Sequence, residues 1–291
     1  MSFRACGGLK SGGLLSCLQS GEMRTAVLLV ALLVGAAGLH AGAVPRNPIR
    51  SRELHTPYAR GRPVIGVDES GRGAIAGALF AAAIWLPPGW SMRKAGVRVA
   101  DSKDLTTRQR EEAVSALAES GAHFRVAAIG PREIDRTRNI THVTHVAMTR
   151  AVEQLEKQLV KEGVLTDGSD TFSLVDGNMV PCDLYGKAEC LPGGDQKELC
   201  IAAASIIAKV ARDHAMRTAQ RRSPKWRFNE HKGYGTKEHL ELIARYGPSM
   251  EHRMSVSPFV RRTGRKLNIA SSRKIYKRIQ SAQQGARAWG R

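Results

Sequence analysis

The sequence predicts an α/β layered domain over about residues 61–259, and two observations carry that reading. Short apolar runs alternate with longer amphipathic stretches, the pattern of strands and helices stacked in layers. Glycine and proline stand between them, where the chain must turn. The 291 residues are 42% hydrophobic and 24% charged, a globular composition that excludes wholesale disorder, a collagen-like chain and a multi-span membrane protein.

In chain order, residues 64–67 (VIGV) form the first predicted strand, and residues 77–86 (GALFAAAIWL) the second, stopped by Pro87, Pro88 and Gly89. Residues 106–120 carry a helical pattern closed by Gly121; residues 123–129 (HFRVAAI) are a third strand, after which Pro131 opens another helix. Residues 139–161 read as a long amphipathic helix, 172–175 as a fourth strand and 197–222 as the longest helix. No internal repeat is visible.

The chain holds 45 Lys+Arg against 26 Asp+Glu, a formal charge of +19, which points to a polyanionic partner such as nucleic acid or an anionic membrane. The excess sits at the two ends. Residues 1–52 have six bases and one acid, and residues 260–291 have ten bases and no acid, leaving 29 bases and 25 acids between them. The body is therefore only mildly basic.

The apolar run 25–39 follows Arg24 and precedes the small residues Ala41, Gly42 and Ala43. It is shorter than the roughly 20 residues of a membrane span, and an acid-free, arginine-rich stretch follows it, so residues 1–52 read as a targeting leader. The expectation is import into an organelle, a plastid or mitochondrion, with no stable membrane association of the mature chain. Secretion, a cytoplasmic or nuclear protein with an uncleaved leader, and a true start at Met23 are the alternatives. The tail 260–291 reads either as a basic helix formed on nucleic acid or as a solubilising tail. Five cysteines give neither a disulfide framework nor a metal-binding spacing; Cys6 and Cys17 belong to the leader, and Cys182, Cys190 and Cys200 are expected as free thiols, with a Cys182–Cys190 pair in a loop the alternative.

The informative feature is where carboxylates fall. Asp68 and Glu69 directly follow the first predicted strand, and Asp176 follows the fourth. Sites in α/β sheets form outside the carboxyl ends of strands, so these acids converge if the strands are neighbours. Asp195, just before the longest helix, is either a fourth member or simply a helix N-cap; position alone leaves both open. Acids brought together repel by about 4 kcal/mol per pair at about 4 Å and an effective dielectric of about 20. A cation relieves this, and all-oxygen ligation favours Mg²⁺ or Mn²⁺ over zinc. Two such ions can clamp an in-line phosphoryl displacement, which with a basic chain suggests a nuclease.

Seven segments then share an order. They are Gly66-Val67-Asp68-Glu69-Ser70-Gly71-Arg72-Gly73, Asp101-Ser102-Lys103, Val175-Asp176-Gly177-Asn178, Gly194-Asp195, residues 201–213 (IAAASIIAKVARD), His231-Lys232-Gly233-Tyr234-Gly235-Thr236 and His252-Arg253. Together they resemble ribonuclease H type II over about residues 61–259, in the family's order and with similar gaps. The resemblance implies a ribonuclease H-like fold, a central mixed β-sheet flanked by helices with a C-terminal helical region. It implies an endonuclease that cleaves the RNA strand of RNA/DNA hybrids and single ribonucleotides in duplex DNA, with roles in ribonucleotide excision and RNA primer removal. The 19-residue gap from Asp176 to Asp195 resembles the compact bacterial-type pattern, which implies a monomer.

Carried over position by position, the family's metal-binding acids fall on Asp68, Glu69, Asp176 and Asp195. Its junction-sensing loop and tyrosine fall on Gly71, Arg72, Gly73 and Tyr234. Glycines let backbone groups approach a sugar and phosphate closely, and the 2′-hydroxyl is what distinguishes RNA from DNA there. Ser102 and Lys103 resemble the family's phosphate-contacting loop, and Asn139 falls where the family often has an asparagine on the nucleic-acid backbone. A solvated lysine and a helix cap are the plainer readings of Lys103 and Asn139. Ser205 and Lys209, four apart on the longest helix, share a face turned toward the phosphates, whereas Asp213 reads as a structural acid of that helix.

Three departures stand out. Ser70 replaces the usual alanine, the chain is one residue longer between Asp135 and Asn139, and Val256 replaces a commonly aromatic residue. His142 and His145 lack an acid or cysteine to complete a metal set, and Trp85, Trp90 and Trp226 read as core or loop anchors. The rival function from another class is a non-catalytic nucleic-acid-binding protein on a decayed nuclease fold, against which four intact acids argue.

Overall fold

The computed structural model describes residues 61–259 other than 96–98, 100, 101 and 103. The predicted leader 1–52, the basic tail 260–291 and the phosphate-contact candidate Lys103 lie outside the described residues. The strands are β1 (Val64–Ser70), β2 (Leu79–Trp85), β3 (His123–Ile129), β4 (Phe172–Asp176) and β5 (Ala188–Leu191). The helices are α1 (Met92–Ala95), α2 (Thr107–Glu119), α3 (Pro131–Thr137), α4 (Ile140–Lys161), α5 (Leu199–Arg222), α6 (Phe228–His231) and α7 (Lys237–Tyr246).

The strands form one mixed sheet in the order β3-β2-β1-β4-β5. β1, β2 and β3 pair antiparallel, while β4 runs parallel to β1 and β5 parallel to β4. Each face of the sheet is covered by helix, as the apolar runs require. Val64 of β1, Phe80, Ala82 and Ile84 of β2 and Leu174 of β4 share a core with α2 and the apolar residues of α5. Ile65 and Val67, Leu79, Ala81 and Ala83, and Val175 share the opposite core with Val143, Ala147, Ala151 and Leu155 of α4. Alternation along β1 therefore points Asp68 toward α5 and Glu69 to the other face. Gly66 lets α5 approach, because a Cβ there would lie 2.3 Å from the backbone carbonyl carbon of Cys200.

Several boundaries differ from expectation for local reasons. β1 runs on to Ser70 because its pairing with β2 continues to Ser70↔Phe80, so Asp68 and Glu69 belong to the strand's end instead of following it. β2 begins at Leu79, after Gly77 turns the chain at φ +84. α5 starts at Leu199 and is preceded by a 3₁₀ turn at Gly194–Gln196. α2 opens on a reciprocal capping box, Thr106 with Gln109. The remaining chain folds through α6 and α7 into a small helical region whose core is Phe228, Met216 and Ala76, with Ile75, Ile243 and Phe259 beside it. Trp90 and Trp226 anchor loops through their indole N–H groups on Ser120 Oγ and the Gly247 carbonyl. Cys182, Cys190 and Cys200 are free thiols. Among the described residues no helix is long and apolar enough to cross a membrane.

Candidate active site

Pairing of β1 with β4 reaches Val67↔Val175, which brings Asp68 and Asp176, the next residue on each strand, level at the same end of the sheet. Both alternate onto the face covered by α5. Asp68 is buried and accepts a hydrogen bond from the Glu69 N–H at 2.6 Å. The Ser205 side chain, from α5, also bonds it. Asp176 is held by the Gly194 N–H, which donates to Oδ1 at 2.7 Å. That bond draws in the turn carrying Asp195, itself buried. Asp195 is not the helix cap: the N-cap position of α5 is Glu198.

Burial, then repulsion from Glu69 and Asp176, holds the Asp68 carboxyl well above the usual carboxylate range. Glu69 is likewise raised by burial and by Asp176, with Arg72 acting in the opposite direction. Among the described residues no group of three or more His, Cys, Asp or Glu side chains is arranged to hold a metal ion. The donor set nevertheless fits one. Asp68 gathers negative charge with Glu69 and Asp176 at a buried strand end, where a hydroxyl and an amide donate to it, and such excess charge needs a cation. Oxygen-only ligands suit a hard divalent ion.

Beyond β1 the chain enters the loop containing residues 71–73. Gly71 has φ +93, and a Cβ there would lie 2.1 Å from Arg212 Nε, so both backbone conformation and space demand glycine. At Gly73 a Cβ would meet nothing within 4 Å, leaving the backbone open to approach. Arg72 projects outward and donates from Nη2 to Thr141 Oγ1 at 3.0 Å, at the start of α4. Tyr234 lies at the surface with the Arg212 guanidinium carbon 4.8 Å from its ring centroid. The backbone joins loop and tyrosine segment directly, since the Ile75 and Ala76 N–H groups both donate to the Gly233 carbonyl.

The other predicted contacts divide. Ser205 and Ser102 are buried and share a hydrogen bond at 3.1 Å, so Ser102 is tied through Ser205 to Asp68. Lys209 does share a face with Ser205, but its ammonium donates to Asp213 Oδ1 at 2.7 Å. Asp213 also faces Arg110 at 3.6 Å, as an acid of the fold. Asn139 caps α4, accepting the His142 N–H at 3.1 Å.

Sequence reasoning gave no role to two fully buried arginines and three buried histidines. Arg253 donates to the carbonyls of Gly71 (2.8 Å), Ala74 (2.9 Å), Arg72 (3.2 Å) and Gly77 (2.8 Å). It thus holds the whole loop from inside. His231 stacks on His239 at 3.9 Å between ring centroids, and His239 Nε2 lies 3.0 Å from His252 Nε2. His239 Nδ1 donates to the Tyr234 carbonyl at 2.9 Å. The available signal was membership of the segments that carry the resemblance, Arg212 in residues 201–213, His231, and the pair His252-Arg253, positions that on sequence alone a solvated residue would have fitted as well.

The comparisons with known proteins agree on a family. The family model described as Ribonuclease HII matches residues 65–262. The chain is 39% identical to the ribonuclease HII of Neisseria meningitidis over 193 residues, covering 66% of this chain and 91% of that protein. It is 41% identical to the ribonuclease HII of Pseudothermotoga lettingae over 195 residues, covering 67% and 77%. Among solved structures, the PCNA:RNase HII complex from Archaeoglobus fulgidus provides a chain with TM-score 0.52 and 22% identity, covering 72% of this chain and 99% of that one. Bst-RNase HIII in complex with Mn²⁺ gives TM-score 0.55 and 18% identity, covering 87% and 82%. At those identities the structural likeness speaks for the fold.

Proposed function

The chain belongs to the ribonuclease HII family, and from that premise we propose a divalent-metal-dependent endonuclease. It cleaves the RNA strand of RNA/DNA hybrids and the phosphodiester on the 5′ side of a ribonucleotide embedded in duplex DNA. The observation that carries this reading is the β1–β4 register, which sets Asp68 beside Asp176 although 108 residues separate them.

Asp68, Glu69, Asp176 and Asp195 would hold Mg²⁺ or Mn²⁺. When bound, such ions lower the pKa of water and stabilise charge on the phosphoryl oxygens. Ser205 orients Asp68, the Gly194 N–H orients Asp176, and Arg72 offsets the charge on Glu69. A new bond from water oxygen to phosphorus forms as the bond to the preceding nucleotide's O3′ breaks, leaving a 3′-hydroxyl and a 5′-phosphate. The open backbone at Gly73 and the fixed carbonyls around Gly71 suit recognition of a 2′-hydroxyl. Tyr234 offers a ring face to the neighbouring deoxyribose. The same specificity supports roles in ribonucleotide excision and RNA primer removal.

The test is cleavage of a duplex with one embedded ribonucleotide, with and without Mg²⁺ or Mn²⁺. Asp68→Asn should reduce cleavage by more than about 100-fold, the upper range for losing even an outer partner of a metal site, while hybrid binding survives. Loss of binding with the fold intact would count against the metal role. A wild-type chain that binds hybrids without cutting them would instead favour a non-catalytic binding protein.

A further inference from the structure

Arg212 lies within α5 and is fully buried. It touches both elements assigned to reading the ribonucleotide. Its Nε and Cδ lie 2.1 and 2.6 Å from where a Gly71 Cβ would be, so its stem presses against the Gly71 backbone. Its guanidinium carbon lies 4.8 Å from the Tyr234 ring centroid. Nη2 donates to the Lys232 carbonyl at 2.6 Å, two residues before that ring, and reaches the Ala76 carbonyl at 3.5 Å.

Packing does not account for an arginine here. Its Nε and Nη1 are buried with no hydrogen-bond partner among the described residues. A buried cation with unfilled donors destabilises a fold relative to an apolar chain of similar length. What an apolar chain cannot do is present a flat cation to an aromatic face while bonding a carbonyl of the same loop. Both rims are fixed from elsewhere. Arg253 holds the carbonyls of Gly71, Arg72 and Ala74, and His239 holds the carbonyl of Tyr234. The Arg212 plane therefore lies between the Gly71 backbone and the Tyr234 ring, beside the Ile75 and Ala76 N–H bonds to the Gly233 carbonyl that join the two segments.

We propose that Arg212 is a positioning residue for ribonucleotide discrimination, its planar side chain setting the distance between the Gly71 backbone and the Tyr234 ring. It is buried and does not touch nucleic acid; it acts through the two groups that do. The assignment rests on the reading of residues 71–73 and Tyr234 as the ribonucleotide-sensing pair.

The experiment compares the full-length chain with Arg212→Lys and Arg212→Met, each alone and with Tyr234→Ala. It measures kcat and KM on a duplex with one embedded ribonucleotide and on a continuous RNA/DNA hybrid, with folding checked by circular dichroism and melting. Arg212→Lys should lower the ratio of single-ribonucleotide to hybrid cleavage roughly tenfold, mid-range for residues in contact. The loss should lie mainly in kcat. Tyr234→Ala should lower the same ratio, and adding Arg212→Lys to it should lower the ratio no further. Equal losses on both substrates, an unchanged ratio or fully additive losses would overturn the assignment. So would failure of both Arg212 variants to fold, which would place the arginine in the fold alone. A wild-type chain that cuts neither substrate refutes the functional reading itself, whereas one that cuts only the hybrid refutes this assignment and leaves the nuclease standing.

Discussion

Acidification from pH 7 to pH 5 should destabilise this fold through its buried histidines, by an amount the hydrogen bonds allow to be worked out. The Ser249 N–H donates to His252 Nδ1 at 2.8 Å, so that nitrogen carries no proton and the hydrogen sits on Nε2. This Nε2–H points at His239 Nε2, 3.0 Å away, which must accept, leaving the His239 Nδ1–H for the Tyr234 carbonyl. His231 is fixed in the same way, accepting the Gly233 N–H on Nδ1 and donating from Nε2 to the Trp226 carbonyl. A proton added to His239 would set two N–H donors against each other in a buried space. Burial, then the neighbouring imidazole of His231, pushes His239 down to about 3; burial is also the first cause holding His252 at about 4.

In the unfolded chain both histidines titrate near about 6.5. Because the folded values are depressed, the stability they confer is fully present above about pH 6.5 and is lost as pH falls toward the folded values. Since pH 5 is about 1.5 units below the unfolded value and still above both folded values, each histidine costs about 2 kcal/mol there, or about 4 kcal/mol for the pair. That is a large part of the roughly 5–15 kcal/mol of a typical domain. Urea melts of wild type and His239→Asn at pH 7, 6 and 5 measure it. Asparagine keeps an N–H for the Tyr234 carbonyl and does not titrate, so the variant should lose about 2 kcal/mol less than wild type between pH 7 and 5. Asp68 and Glu69, whose folded values are raised, act with the opposite sign but equally in both proteins, so the difference isolates the imidazole. The same pH dependence in both proteins would refute the argument.

Gly66→Ala should destabilise by about 3 kcal/mol, the upper part of the overpacking range, since the added Cβ would lie 2.3 Å from the Cys200 carbonyl carbon and force α5 off the sheet; an unshifted urea midpoint would contradict the close approach. Tyr234→Ala should impair cleavage at an embedded ribonucleotide roughly tenfold more than cleavage of a continuous hybrid, a range typical of residues that act through direct contact. Equal losses on the two substrates would remove Tyr234 from junction reading.

The long elements were legible because burial dictates their composition. β2 is buried at every position and reads as a continuous apolar run, and α4 shows its apolar stripe. β5 was invisible for the converse reason. Its four residues, Ala188–Leu191, are all half-buried at the sheet edge and present neither a run nor an alternation. The acids were legible singly, as carboxylates at apolar strand ends, but their meeting depends on β4 pairing with β1 across more than 100 residues. No local pattern encodes that pairing; the family resemblance supplied it. Lys209 shows the limit of helical spacing. Four residues separate it from Ser205 as the shared face requires, yet the same spacing reaches Asp213, and the ion pair takes the ammonium. Arg212, Arg253 and the histidines received no role, although the segments that carry the resemblance include Arg212, His231, His252 and Arg253, because a polar residue in a sequence looks solvated until the chain around it closes.

The two tasks proposed for the site rest on different kinds of support, and the connection between them is short. The acids stand on β1 and β4 and on a turn bonded to Asp176, so strand register sets their geometry. The loop at 71–73 and Tyr234 lie outside the named strands and helices, in segments that are mobile by default. Their shape comes from buried cations and imidazoles bonded to carbonyls, with Arg253 alone taking four. Only Ser70 separates Glu69 from Gly71, and Arg72 both sits in the loop and offsets the charge on Glu69. The loop therefore cannot shift far without moving an acid or changing its electrostatics. Under the reading proposed above, Arg212, which reaches the loop only from inside, would act on which phosphodiester is cut through the loop and Tyr234, without itself contacting nucleic acid or metal.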